Sequence, residues 1–135
     1  MPILNIHLVS GQHDPAKVDA LLKRCSESFA AGLCCPIDRV RVFVTEHAPR
    51  HYCVGGQLVS ETGMTAPYFS FIVLDDRPLV VRQKLLSAFT DHIVELLGAP
   101  RERVRGGIMP VAAADWSIGG QAASLLRQTE IEARR

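Results

Sequence analysis

The segment PIDRVR at residues 36–41 returns as PRERVR at residues 100–105, sixty-four positions along a chain of 135. The echo persists at that offset: YCVGGQ at 52–57 returns as WSIGGQ at 116–121, and Ser60 returns as Ser124. Nearer the start of each half the offset is sixty-five, with Pro2 answering to Pro67 and Lys17 to Arg82, so the first half carries one extra residue. An internal duplication constrains the fold more than any single motif in the chain. Its period lies beyond the roughly 20–50 residues of solenoid and propeller repeats. A half of this length is also too small to bury a generous core alone. The expected organisation is therefore one domain over residues 1–135, made of repeats 2–62 and 67–126 that share a core.

Each half reads as strand, helix, strand. ILNIHLV at 3–9 is apolar and β-branched enough for a buried strand, and Gly11 ends it. Asp14 and Pro15 then supply a helix N-cap and a proline at the first helical position. Val18, Leu21, Leu22, Cys25, Phe29 and Leu33 recur at helical spacing, and VRVFVTE at 40–46 alternates like a strand. The second half repeats the plan: YFSFIVL at 68–74 is a strand, and Pro78 opens a helix. Leu85, Leu86, Phe89, Ile93, Leu96 and Leu97 form its stripe, and RVRGGIMPV at 103–111 closes the unit. A long helix between two strands implies a parallel βαβ unit. Two such units predict an α+β fold, a four-stranded sheet with both helices on one face. The other face, drawn from Ile6, Val9, Phe71 and Val73 or their alternates, would stand uncovered and favour oligomerisation.

Composition narrows the function classes. A net charge of +1 offers no basic footprint for nucleic acid. No apolar run approaches the roughly 18 residues of a membrane span, and the N-terminus lacks a signal-peptide pattern, so a cytoplasmic protein is expected. The four cysteines contain no CxxC spacing, which argues against a zinc site or a redox pair. His47 and His51 stand four apart, but Pro49 between them disfavours a helix that would aim both at one metal.

The chain opens Met-Pro-Ile. Removal of Met1, the usual fate of a methionine before proline, leaves a secondary amine on Pro2. The strand that follows at once would hold this amine at the sheet edge rather than on a loose tail. A free α-amino group has a pKa of about 8. Desolvation and neighbouring arginines both disfavour its protonated form, which would leave it competent as a general base near neutrality.

PILNIHLVSG, PIDRVRVFVTE and HYCVGGQLVSE make the first half resemble a 4-oxalocrotonate tautomerase subunit along nearly its whole length, and residues 67–124 resemble the same subunit again. The whole chain is similar to the fused, double-length members of the tautomerase superfamily, malonate semialdehyde decarboxylase among them. The resemblance implies a β-α-β fold and a homotrimer. It also implies a small-molecule carboxylate substrate and catalysis by the N-terminal proline, with no cofactor, no metal, and no nucleic-acid or membrane partner. Only Pro2 can carry the amine, because Pro67 is internal. By the resemblance, the loop position of the first half holds Gln12 where the second holds Arg77, so Arg77 is the expected carboxylate clamp of the Pro2 site. The central-strand arginines are Arg41 and Arg105, either of which could complete the site. The aromatic wall maps to Tyr52 and Trp116, with Trp116 favoured and Ile118 beside it as a substrate contact. Asp38 matches an acidic position of the decarboxylase branch. The reaction implied first is keto–enol tautomerisation of 2-oxo or 2-hydroxydienoate carboxylates. A decarboxylase or hydratase stands second, and a binding trimer without chemistry is the third reading.

Overall fold

The computed structural model describes residues 2–135; the expected removal of Met1 concerns a residue outside those described. The first unit runs β1 (Ile3–Val9), α1 (Pro15–Leu33), β2 (Arg41–His47), then a short hairpin of β3 (Cys53–Val54) and β4 (Gln57–Leu58), then α2 (Val59–Thr62). The second runs β5 (Tyr68–Leu74), α3 (Leu79–Leu97), β6 (Arg105–Val111), β7 (Ser117–Ile118), β8 (Gln121–Ala122) and α4 (Ala123–Leu126). A final helix, α5 (Gln128–Ala133), follows with no counterpart after α2. Among the described residues no helix is long and apolar enough to cross a membrane.

Local chemistry sets these boundaries. The Asp14 carboxylate accepts a hydrogen bond from the Ala16 amide at 2.9 Å, capping the orphan donors at the start of α1. Pro78 occupies the N-cap of α3 rather than its first turn, so that helix begins one residue later than the sequence suggests. The closing strand expected from residue 103 starts at Arg105, because Arg101–Arg103 forms a 3-10 turn whose Arg101 carbonyl is bonded by the Val104 amide at 3.1 Å. α1 ends on Cys34 in the left-handed region (φ 52°), where α3 ends on Gly98 (φ 68°).

The four long strands form one sheet in the order β2-β1-β5-β6. β1 pairs parallel with β2, β5 parallel with β6, and the central pair β1·β5 is antiparallel. In that central ladder Asn5 faces Ser70, which is also its own equivalent in the duplication, so the pseudo-twofold passes between these two residues.

α1 and α3 cover one face. Leu4, Ile6 and Leu8 from β1 and Phe69, Phe71 and Val73 from β5 lie under them, with Leu21, Cys25, Phe29, Leu33, Leu85, Phe89 and Ile93 closing the core. Phe29, Phe71 and Phe89 meet edge to face at centroid distances of 5.1–5.6 Å. Burying each such ring stabilises the fold by about 1.5–3 kcal/mol. The uncovered face carries the alternates, Ile3, Asn5, His7, Tyr68, Ser70 and Ile72, and it departs from the expected apolar surface. Its polar residues bond one another: Thr45 donates to Asn5 Oδ1 at 2.8 Å, and His7 Nδ1 lies 2.8 Å from His47 Nε2. Phe43, Tyr68 and Met109 are its exposed apolar members.

Candidate active site

Pro2 is buried at the mouth of β1, and its carbonyl accepts from the Arg41 amide at 3.0 Å. This parallel ladder bond fixes the residue at the sheet rather than leaving it on a tail. Around it lies a cleft lined by Leu33, Cys35, Arg39, Val73, Leu74 and Arg77, with about 10 Å³ of free volume, the room of a single water. Three parts of the chain build it. The end of α1 and the turn before β2 contribute Leu33, Cys35 and Arg39; the end of β5 contributes Val73 and Leu74; the loop into α3 contributes Arg77.

Arg77 therefore crosses from the second unit to the first. Its Nη1 donates to the Leu33 carbonyl at 2.7 Å, one of the orphan acceptors at the C-terminal end of α1. Burial pulls the guanidinium's pKa down, as does the neighbouring Arg134, against the pull of Asp76, Cys35 and Glu130. A guanidinium remains charged under such a shift, because its ordinary value is far above neutrality. The Cys35 thiol is pushed up chiefly by burial, with Arg77 and Arg39 opposing, so it stands beside Pro2 as a neutral thiol near pH 7.

The remaining sequence-derived site residues lie elsewhere in the chain. Trp116 and Ile118 pack on the cluster of Leu74, Ala123 and Ile131, one layer behind the cleft wall at Leu74. The Arg41 side chain turns away and donates to the Asp38 carbonyl at 2.9 Å, and the side chain of Asp38 is exposed. Arg105 donates to the Glu102 carbonyl at 2.6 Å and lines a separate, open pocket of about 350 Å³ with Arg103, Tyr52, Pro67 and Tyr68. Within one chain, Pro2 and Arg77 are brought together, and Arg41, Arg105, Asp38 and Tyr52 are not. Sequence reasoning missed Arg39 and Cys35. Arg39 is one of two arginines common to PIDRVR and PRERVR, and the resemblance points to the other, Arg41, on the strand.

The pseudo-symmetric cleft on the Gln12 side of Pro67 is closed, although Pro67 also lines the open pocket beside Arg105. It is lined by Leu8, Val9, Gln12, His13, Tyr52 and Ala66, with essentially no free volume. Gln12, in the place of Arg77, donates to the Met64 carbonyl at 3.0 Å, and the Tyr52 hydroxyl donates to the Ala66 carbonyl at 2.6 Å. Those carbonyls belong to the segment that joins the two units. The connection that makes Pro67 an internal residue also fills the cleft between it and Gln12.

Comparisons with known proteins agree on the family. The family model for the tautomerase enzymes matches residues 2–62. A 2-hydroxymuconate tautomerase of Pseudomonas putida is 39% identical over 61 residues, which is 45% of this chain and 95% of that one. The second unit is reached by the solved structures. A native fused 4-OT superposes with a TM-score of 0.85 at 28% identity, covering 93% of this chain and 98% of its own. A fused 4-OT solved as an asymmetric trimer gives a TM-score of 0.83 at 23% identity over 92% of this chain and 98% of that one, a likeness of fold. Two subunit-length units, one sheet and one polypeptide place this chain in the tautomerase superfamily as a double-length, fused member, and its likeness to the 2-hydroxymuconate tautomerases makes it an isomerase.

Proposed function

We propose that the protein is a cofactor-independent keto–enol tautomerase of 2-oxo and 2-hydroxydienoate carboxylates, with the amine of Pro2 as its general base once Met1 is removed. The observation that carries this reading is the meeting of Pro2 and Arg77, from different units, in one cleft. Arg77 holds the substrate carboxylate by charge-assisted hydrogen bonds. The Pro2 nitrogen takes the enol proton and returns it to carbon along the conjugated chain. A guanidinium stabilises the negative charge that develops on oxygen meanwhile. The apolar walls at Leu33, Val73 and Leu74 exclude water, which strengthens these contacts. Among the described residues of one chain the cleft lining is Leu33, Cys35, Arg39, Val73, Leu74 and Arg77 beside Pro2, a set with no carboxylate to activate water, which favours isomerisation.

The working assembly is a homotrimer, as in the fused 4-OT solved as a trimer. The uncovered sheet face supports this reading, because Phe43, Tyr68 and Met109 stand exposed there at 43–47%. A neighbouring chain would bring Arg41 or Arg105 to the cleft, completing it with a charge that one chain alone does not supply.

Turnover of 2-hydroxymuconate against pH tests the chemistry. With Pro2 confirmed as the first residue by intact mass, kcat/KM rises with pH through a single ionisation below the ordinary value of about 8. Pro2→Gly, which keeps an amine but loses the rigid ring, retains the profile at a reduced rate. A pH-independent rate would remove the amine from the mechanism.

A further inference from the structure

α5 lies outside the duplicated units, and it is tied to the cleft. Ile131 packs against Leu74 and Ala123, and Arg134 Nε meets Asp76 Oδ2 at 2.6 Å in the turn that precedes α3. A second ion pair is bidentate: Arg39 Nη1 donates to Glu130 Oε2 at 2.9 Å and Nη2 to Oε1 at 3.1 Å. Arg39 therefore has the Pro2 cleft on one side and a carboxylate of the tail on the other. The cleft contains two guanidiniums in different states. Arg77 is bonded to a neutral backbone carbonyl, whereas Arg39 is bonded in the fork geometry by which a guanidinium binds any carboxylate.

The Arg39–Glu130 pair is also one that can exchange. Its side chains are 23% and 43% exposed, so water reaches the pair, chiefly at Glu130. Replacing one carboxylate by another on the same fork conserves both hydrogen bonds. A released Glu130 regains water readily, because its side chain is already 43% exposed.

We propose that Arg39 is a second carboxylate-binding residue of the Pro2 site, and that Glu130 occupies it until the distal carboxylate of a dicarboxylate substrate takes its place. This rests on the reading of Pro2 and Arg77 as the active site. A dicarboxylate is gripped at both ends and opens the tail contact. A monocarboxylate enol uses Arg77 alone and leaves the Arg39–Glu130 pair intact. Selectivity for dicarboxylates then depends on one residue of the repeat, Arg39, and one that the duplication does not supply, Glu130.

The test compares 2-hydroxymuconate, a dicarboxylate, with phenylenolpyruvate, a monocarboxylate, using protein that begins at Pro2. Arg39→Ala is expected to lower kcat/KM for the dicarboxylate about tenfold or more and to change the monocarboxylate value less than about threefold. Arg39→Lys should recover part of the loss. Glu130→Gln removes the competing charge while leaving Arg39 in place, and should lower KM for the dicarboxylate by about threefold without moving the monocarboxylate value. This variant keeps the test decisive if Arg39→Ala fails to fold. Equal losses on both substrates in Arg39→Ala, with Glu130→Gln silent, would make the pair a structural tie and overturn the proposal. A parent enzyme that turns over neither substrate would instead overturn the reading of the site, and the role of Arg39 with it.

Discussion

At the scale of single residues, one exchange separates the two clefts: Arg77 stands where the other unit has Gln12. Arg77 lines a cleft with Pro2, whereas Gln12 is bonded to the Met64 carbonyl in front of a proline that carries no amine. Arg77→Ala should therefore cost the transition state about 1.5–3 kcal/mol, roughly tenfold or more in kcat/KM, while Gln12→Ala should leave turnover near the parent value. Equal and small effects in steady-state assays would mean that the cleft is assigned to the wrong unit. The meeting of Pro2 and Arg77 was legible in the sequence, because aligning the repeats shows which loop keeps its arginine. The position of Arg39 was not. Its partner Glu130 lies on α5, and a segment outside the repeat has no register from which to place it. Trp116 illustrates a third case: within one chain it packs on the cluster of Leu74, Ala123 and Ile131, a neighbourhood the repeat alone does not specify.

At the scale of elements, the duplication keeps the ladders and varies the volumes. Leu4 pairs with Val42 across β1 and β2; at the equivalent place in β5 and β6, Phe69 pairs with Gly106. A Cβ at Gly106 would overlap the ring of Phe69, so the glycine is required by the size of its neighbour rather than by its backbone. The sequence showed a Gly-Gly step in a strand, ordinarily a weakness, and only the register explains it. Gly106→Val should destabilise the fold by about 1–3 kcal/mol through overpacking. Adding Phe69→Leu copies the Leu–Val pair of the first unit and should restore most of that loss. Denaturant midpoints of the single and double variants check this. A double variant no more stable than Gly106→Val alone would show that the two units pack by different rules. The four long strands and two long helices were otherwise legible to within a residue or two, because hydrophobic period and caps decide them locally; the short hairpin strands and α2, α4 and α5, too short for a period, were not read. The exception was the start of β6, where a 3-10 turn competed with the strand.

At the scale of the whole molecule, the uncovered sheet face connects fold to assembly. The sequence foretold a bare face but not its chemistry, because alternation identifies two faces and leaves open which one the helices choose. The helices took the uniformly apolar set, and the polar remainder formed the Asn5–His7–His47 network. Light scattering at micromolar concentration should report three chains, and a stable monomer would contradict the assembly. Burial, and then His47, depress the pKa of His7, and burial likewise depresses those of His13 and His92. The folded protein then binds fewer protons than the unfolded chain. The contribution of these groups to stability is fully present above about pH 6.5 and is lost as the pH falls below it. Thermal midpoints should accordingly drop as the pH falls below about 6.5. The central claim is that one amine per chain, on Pro2, performs the proton transfer in a cleft shared by both units. Its most direct test is the initial rate of 2-hydroxymuconate ketonisation by protein beginning at Pro2, against the same chain carrying one uncleaved residue before it. The account predicts that the extended chain keeps its assembly and loses its activity, because an amide nitrogen cannot take the proton. An extended chain that turns over substrate at the parent rate would contradict it.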